Sequence, residues 1–175
     1  MLARYESTVP VLLIYRVLVF LKGMNENGNS IPAFNFGSND SKVSPKLVED
    51  FTNDYIANVC ELSRQRTVYI LKPIPEFDFD VPMSIARSKT TRFGNVPKLY
   101  TREYFSRHVE VLSAQALASK NCGAILLDPV PILCGDVDCK STHLSRPIYS
   151  DDDHLSEYGN RLLTPLFMQI FVLRH

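Results

Sequence analysis

The sequence predicts an α/β domain built on a parallel sheet, and three observations carry that prediction. Two short runs, 67–71 (Thr-Val-Tyr-Ile-Leu) and 124–127 (Ala-Ile-Leu-Leu), are apolar without alternation, the pattern of strands buried on both faces. Longer segments with helical apolar spacing lie before, between and after them. The resulting order of helix, strand, helix, strand, helix is that of parallel α/β domains, and no internal repeat interrupts it.

The apolar run 9–21 near the start contains Arg16 and is too short to cross a bilayer. It has no basic leader or small-residue cleavage site, so it reads as a core strand or helix segment. Residues 22–44 are rich in Gly, Asn and Ser and read as a long surface loop. Ser38, in Gly-Ser-Asn-Asp, belongs to that loop and reads as a loop serine, because no convincing strand precedes it.

From residue 45 the spacing turns helical, with Leu47, Val48, Phe51, Tyr55, Ile56, Val59 and Leu62 on one face. Ser44-Pro45 suits a helix start: a capping hydroxyl followed by proline at the first position. Arg64 and Arg66 suit its negative end. The strand at 67–71 leads into Pro73-Ile-Pro-Glu76, and such loops at the carboxyl ends of parallel strands border the clefts of open α/β sheets. Glu76 is therefore a candidate substrate contact, with a solvated loop acid as the plainer alternative. Residues 78–95 read as a mixed loop holding one or two helical turns near 82–87.

A second long helix is expected over 99–120, with Tyr104, Phe105, Val109, Leu112, Ala116 and Leu117 as its buried stripe and Cys122-Gly123 ending it. Ser156 can cap a last helix whose apolar face runs through Leu163, Leu166, Phe167, Ile170 and Phe171.

A chain of 175 residues fits one domain with a core of its own. With 19 basic and 19 acidic residues the net charge is zero, which leaves no electrostatic footprint for nucleic acid or an anionic membrane. Cys60 and Cys122 sit in apolar surroundings and read as core residues. Cys134 and Cys139 flank Gly-Asp-Val-Asp, a short polar turn that either closes in a disulfide or holds two reduced thiols. Neither the cysteines nor the histidines have the spacing of a zinc site, and no metal or cofactor is expected.

The chemistry-bearing stretch is 149–159, Tyr-Ser-Asp-Asp-Asp-His-Leu-Ser-Glu-Tyr-Gly. Asp151 stands three residues before His154 in a polar turn. A carboxylate so placed can accept the proton of one ring nitrogen, fixing the tautomer and leaving the other nitrogen as a base for a nucleophile. A hydroxyl needs such a base to attack an acyl carbon near neutral pH. Aspartates also cap helices, and that is the alternative reading of the same turn.

This stretch, with Cys134 and Cys139 ahead of it, resembles the last motif block of the SGNH hydrolase-like domain. It resembles most the form fused to membrane acyltransferase-3 proteins, which O-acetylate bacterial surface polysaccharides. Leu2-Ala-Arg-Tyr5, Val68-Tyr-Ile-Leu-Lys-Pro-Ile-Pro-Glu76 and Asp80-Val-Pro-Met-Ser-Ile-Ala-Arg87 are similar to other parts of that family in the same order. The resemblance implies a flavodoxin-like three-layer α/β/α fold and a serine acyl transferase or esterase without cofactor. His154 would be the base, Asp151 its orienting carboxylate, and Arg4 a positioning residue near the cleft. It implies an acyl donor and a polysaccharide acceptor as partners, with a membrane acyltransferase-3 domain beside them. A Cys134–Cys139 disulfide and an extracytoplasmic, periplasmic-face location follow from it too. The family's Gly-Asp-Ser nucleophile block does not occur in this sequence. The expectation is therefore a single, N-terminally incomplete domain over 1–175, lacking the first strand and helix of the fold. A catalytically inactive remnant or a carbohydrate-binding module is the alternative.

Overall fold

The computed structural model describes residues 9–22, 44–90 and 96–172. Arg4 with its Leu2-to-Tyr5 segment, Ser38 and most of the 22–44 stretch lie outside them. In chain order the elements are β1 (Val11–Leu13), α1 (Leu18–Lys22), α2 (Pro45–Ser63), β2 (Val68–Leu71), α3 (Val81–Thr90), β3 (Leu99–Tyr100) and α4 (Thr101–Cys122). They continue with β4 (Ile125–Leu127), α5 (Val130–Leu133), β5 (Asp138–Cys139), β6 (Thr142–His143), β7 (Arg146–Pro147), α6 (Glu157–Leu162) and α7 (Thr164–Val172).

β1, β2 and β4 form a parallel sheet in that order, with Val11 beside Val68 and Tyr69 beside Ile125. Side chains along a strand alternate between faces, so β2 serves two cores. Val68 and Ile70 pack with Val17, Leu18, Tyr55, Val59, Val111 and Ala114 on the face covered by α1, α2 and α4. Tyr69 joins Leu127, Leu166 and Ile170 on the opposite face, beneath α7. Helices on both faces of a parallel sheet make the three layers that the unalternating strands foretold.

The first apolar run resolves into a short, partly buried strand and a helix, with Val17, Leu18 and Leu21 in that sheet's core and Ile14 and Tyr15 exposed between the two elements. Ser44 caps α2 as expected, its hydroxyl accepting from the Leu47 N–H at 3.1 Å. Gly123 ends α4 with φ +72°, a left-handed turn in which only glycine is unstrained.

The buried stripe of α4 differs from the apolar one. Phe105, Val109 and Leu117 are exposed, whereas His108 and Gln115 lie buried beside Tyr104, Val111, Ala114 and Ala118. The two polar side chains are tolerated there because each is bonded. Nδ1 of His108 sits 2.9 Å from the Tyr104 carbonyl, and the Gln115 amide donates to the Leu71 carbonyl at 3.4 Å.

Two expected segments also change shape. Residues 78–95 contain a full helix, α3, started by the Asp80 carboxylate, which accepts from the Met83 N–H at 2.7 Å. The last helix is broken at Leu163 into α6 and α7, and Phe171 is exposed.

Cys60 and Cys122 are not two separate core thiols. They are joined in a disulfide that fastens α2 to the end of α4, with Cα atoms 4.8 Å apart. A second disulfide links Cys134 and Cys139.

Candidate active site

The carboxyl ends of β1 and β2 open onto a cleft of about 390 Å³. Tyr15 and Arg16, just past β1, form one side, and Lys72, Pro73, Ile74 and Glu76, just past β2, form another. The turn carrying Asp153, His154 and Leu155 closes the third side.

That turn is held from both flanks by backbone. The Phe77 N–H donates to the Asp152 carbonyl at 2.9 Å, and the Val81 N–H to the Asp151 carbonyl at 3.2 Å. Ser150 N–H donates to the His154 carbonyl at 2.8 Å and closes the turn on itself. Below it lies an apolar floor of Phe77, Leu133, Ile148, Tyr149 and the Cys134–Cys139 bridge. Gly159 permits α6 to lie directly on that floor, since a Cβ there would fall 2.0 Å from the Ile148 carbonyl oxygen.

Within the turn the Asp151 carboxylate is used twice. One oxygen, Oδ1, accepts from the backbone N–H of His154 at 2.6 Å and of Asp153 at 3.0 Å. Its Oδ2 lies 2.9 Å from Nδ1 of His154. Asp151 is thus not a helix cap. Ser156 caps α6, its hydroxyl accepting from the Gly159 N–H.

The hydrogen bond to Asp151 holds the pKa of His154 above its ordinary value. Partial burial of Asp151 opposes ionisation, but the two backbone N–H groups and the imidazole outweigh it and bring its pKa down. With Nδ1 engaged by a carboxylate, Nε2 is the nitrogen left to take up a proton. The ring itself is largely exposed at the cleft mouth, so a reacting group can reach it.

Glu76 is 4% exposed and is no solvated loop acid. Arg16 bonds it at 3.0 and 3.3 Å, and Arg107 from α4 bonds it at 3.1 and 2.8 Å. Nε2 of His108 stands 4.0 Å away. Burial alone would raise the pKa of Glu76. The contacts with His108, Arg16 and Arg107 overcome this and hold the carboxyl well below the usual range. Its oxygens are committed to the protein rather than turned freely into the cleft.

Arg16, Arg107, His108 and Asp153 were not singled out by sequence as site residues. Their partners lie far along the chain, 60 residues from Arg16 to Glu76 and 31 from Arg107 to Glu76, so no local pattern announces them. Donor atoms of Asp151, Asp153 and His154 lie within 4.8 Å of one another. Two carboxylates facing one ring nitrogen account for that proximity by hydrogen bonding and charge alone. No Ser, Thr or Cys lines the cleft among the described residues.

The geometry is that of a hydrogen-bonded Asp151–His154 pair at the mouth of a cleft at the strand ends of an α/β sheet. The family described as SGNH domain (fused to AT3 domains) matches residues 1–169. This chain belongs to that family. Among solved structures, a lipopolysaccharide acetyltransferase periplasmic domain of Salmonella ser. Paratyphi A has the same fold, with a TM-score of 0.52 at 16% identity. The match covers 73% of this chain and 49% of that one, so the chain spans about half the length of the solved domain. No curated protein matches the chain. Among the described residues, no helix of this SGNH domain is long and apolar enough to cross a membrane.

Proposed function

We propose that this SGNH chain carries the base of an acyl-transfer site that O-acetylates a cell-surface polysaccharide. The observation that carries the reading is His154 at the cleft mouth, its Nδ1 held by Asp151 at 2.9 Å and its Nε2 left to move a proton. In the reaction, Nε2 takes the proton of a serine hydroxyl as the oxygen bonds to the acyl carbon of the donor. The tetrahedral intermediate then expels the donor's leaving group, which receives that proton. A sugar hydroxyl next attacks the acyl-serine, again losing its proton to Nε2, and the serine oxygen leaves with it. Asp151 stays ionised throughout, stabilising the imidazolium and fixing the ring.

The serine is assigned to residues outside this chain, because Gly-Asp-Ser does not occur in the 175 residues. Among the described residues β1 pairs only with β2. A strand added parallel to its open edge would end at the same cleft. Two disulfides among the described residues favour an oxidising, extracytoplasmic compartment. The family's fusion to AT3 domains supports a membrane acyltransferase as partner, and the Salmonella relative supports a lipopolysaccharide-type acceptor. By the family resemblance alone, Arg4 is assigned a positioning role for the acyl or sugar group.

The second reading, a carbohydrate-binding module without turnover, is favoured by a cleft that, among the described residues, no Ser, Thr or Cys lines. Hydrolysis of a small acetyl ester separates the two. The chain joined to its upstream residues should hydrolyse the ester, and His154→Ala should reduce that rate at least about 1,000-fold while leaving the fold intact. Equal turnover by the variant would remove His154 from the chemistry. Failure of the extended protein to react would favour the binding module.

A further inference from the structure

A second carboxylate faces the nitrogen that Asp151 holds. Asp153 is 7% exposed, and its Oδ1 lies 2.6 Å from Nδ1 of His154. The other oxygen of Asp153 is in contact with the Arg16 guanidinium. That guanidinium also bonds Glu76, which Arg107 grips from the opposite side. Charges therefore alternate without a break from α4 to the site: Arg107, Glu76, Arg16, Asp153, His154. Glu76 follows β2, Arg16 follows β1, and Asp153 and His154 share one turn. The chain of contacts ties the imidazole to three separate parts of the fold.

A buried carboxylate without a partner would be costly, and burial does push the Asp153 carboxyl up while Arg16 opposes that. Asp151, by contrast, is half-exposed and held within its own turn. The two aspartates supply different things. One makes the local hydrogen bond, and the other connects the ring to the protein interior.

Resting on the reading of His154 as base, we propose that Asp153 and Arg16 are positioning residues for it. Asp153 sets a second negative charge beside the Nδ1 proton that Asp151 accepts, and Arg16, anchored on Glu76, keeps Asp153 aimed at the ring. Asp152 is the remaining charge in the turn. Tyr15 after β1, Lys72 after β2 and His108 on α4 line the same cleft, and all four stay constant in the variants below. Both carboxylates favour the imidazolium, and the Arg16 charge works against it.

The test is nitrogen-15 NMR of the His154 ring in the full chain across a pH titration, its signals assigned by their loss in His154→Gln. Asp153→Asn, which keeps shape and removes charge, should lower the titration midpoint. It should also move the neutral ring from the Nδ1–H toward the Nε2–H tautomer. Arg16→Gln should produce the same change of tautomer, and Arg16→Lys should restore part of it, which a general loss of stability would not do. If folded Asp153→Asn and Arg16→Gln both keep the parent's midpoint and tautomer while Asp151→Asn changes them, Asp151 holds the ring alone and the proposal falls. If Asp151→Asn changes nothing either, the base reading falls with it. Should Arg16→Gln fail to fold, Asp153→Asn and Arg16→Lys decide. Lysine lacks the fork that reaches Glu76 and Asp153 together, so an intermediate tautomer is expected, and parental values in both variants overturn the idea.

Discussion

The two halves of the molecule are held together in different ways. Around α2, α4 and the sheet the interior is almost wholly apolar, from Val17 and Leu18 through Tyr55 and Val59 to Val111 and Ala118. Beyond residue 128 regular structure shrinks to two-residue strands and short helices, and the site turn is secured by backbone bonds and a buried charge network. The first region obtains its stability from area removed from water, which tolerates small shifts. The second depends on distances of 2.6 to 3.3 Å between named groups, which do not. The exposed His154 imidazole is fixed by the second kind of order, which rests on the first.

Each half carries one disulfide, and their removal should separate the two regimes. Cys60 and Cys122 are 62 residues apart, whereas Cys134 and Cys139 are 5 apart. On a chain-entropy account the long loop is worth about 4 kcal/mol and the short one about 2 kcal/mol. Paired Cys→Ser replacements, followed by chemical denaturation, should reproduce that order. Loss of the short bridge should disturb the His154 NMR signals more, because it floors the site turn. Equal losses of stability would mean that residual structure in the unfolded chain, not loop length, governs both.

Glu76 tests the charge network. Glu76→Gln leaves Arg16 and Arg107 without their shared carboxylate and should cost about 3 kcal/mol. The pH dependence has a definite sign. Because the folded pKa lies below the ordinary value of 4.5, the contribution is present above that value and is lost as pH falls toward the folded one. Urea midpoints measured from pH 6 down to 3 should therefore fall more steeply in the parent than in Glu76→Gln. Parallel curves would show that the acid is not linked to folding.

The parts that sequence made legible are those governed by local rules. Ser44 with Pro45, Gly123, and the unalternating β2 and β4 report caps and burial within a few residues of themselves. The Asp151–His154 contact is legible for the same reason, spanning three residues. The stripe of α4 was obscured because His108 and Gln115 are polar yet buried, and only distant or same-face carbonyls make that affordable. The Cys60–Cys122 bridge and the Arg16–Glu76 pair join residues about 60 apart, so neither neighbourhood names the partner. Arg16 in particular interrupts an apolar run, and that interruption was itself the trace of a buried charge with a partner elsewhere.

The most direct test of the site is the pH–rate profile for acetyl-ester hydrolysis by the chain joined to its upstream residues, compared with Asp151→Asn. With His154 as the proposed base, turnover needs its neutral form, and Asp151 raises the pKa of that ring. The parent rate should therefore climb with pH through the raised value. In Asp151→Asn the climb should move to lower pH while the plateau drops, up to about 10,000-fold if the tautomer is lost completely. A variant with the parent's midpoint and plateau would contradict the account, because the carboxylate at 2.9 Å would then neither tune nor orient the base.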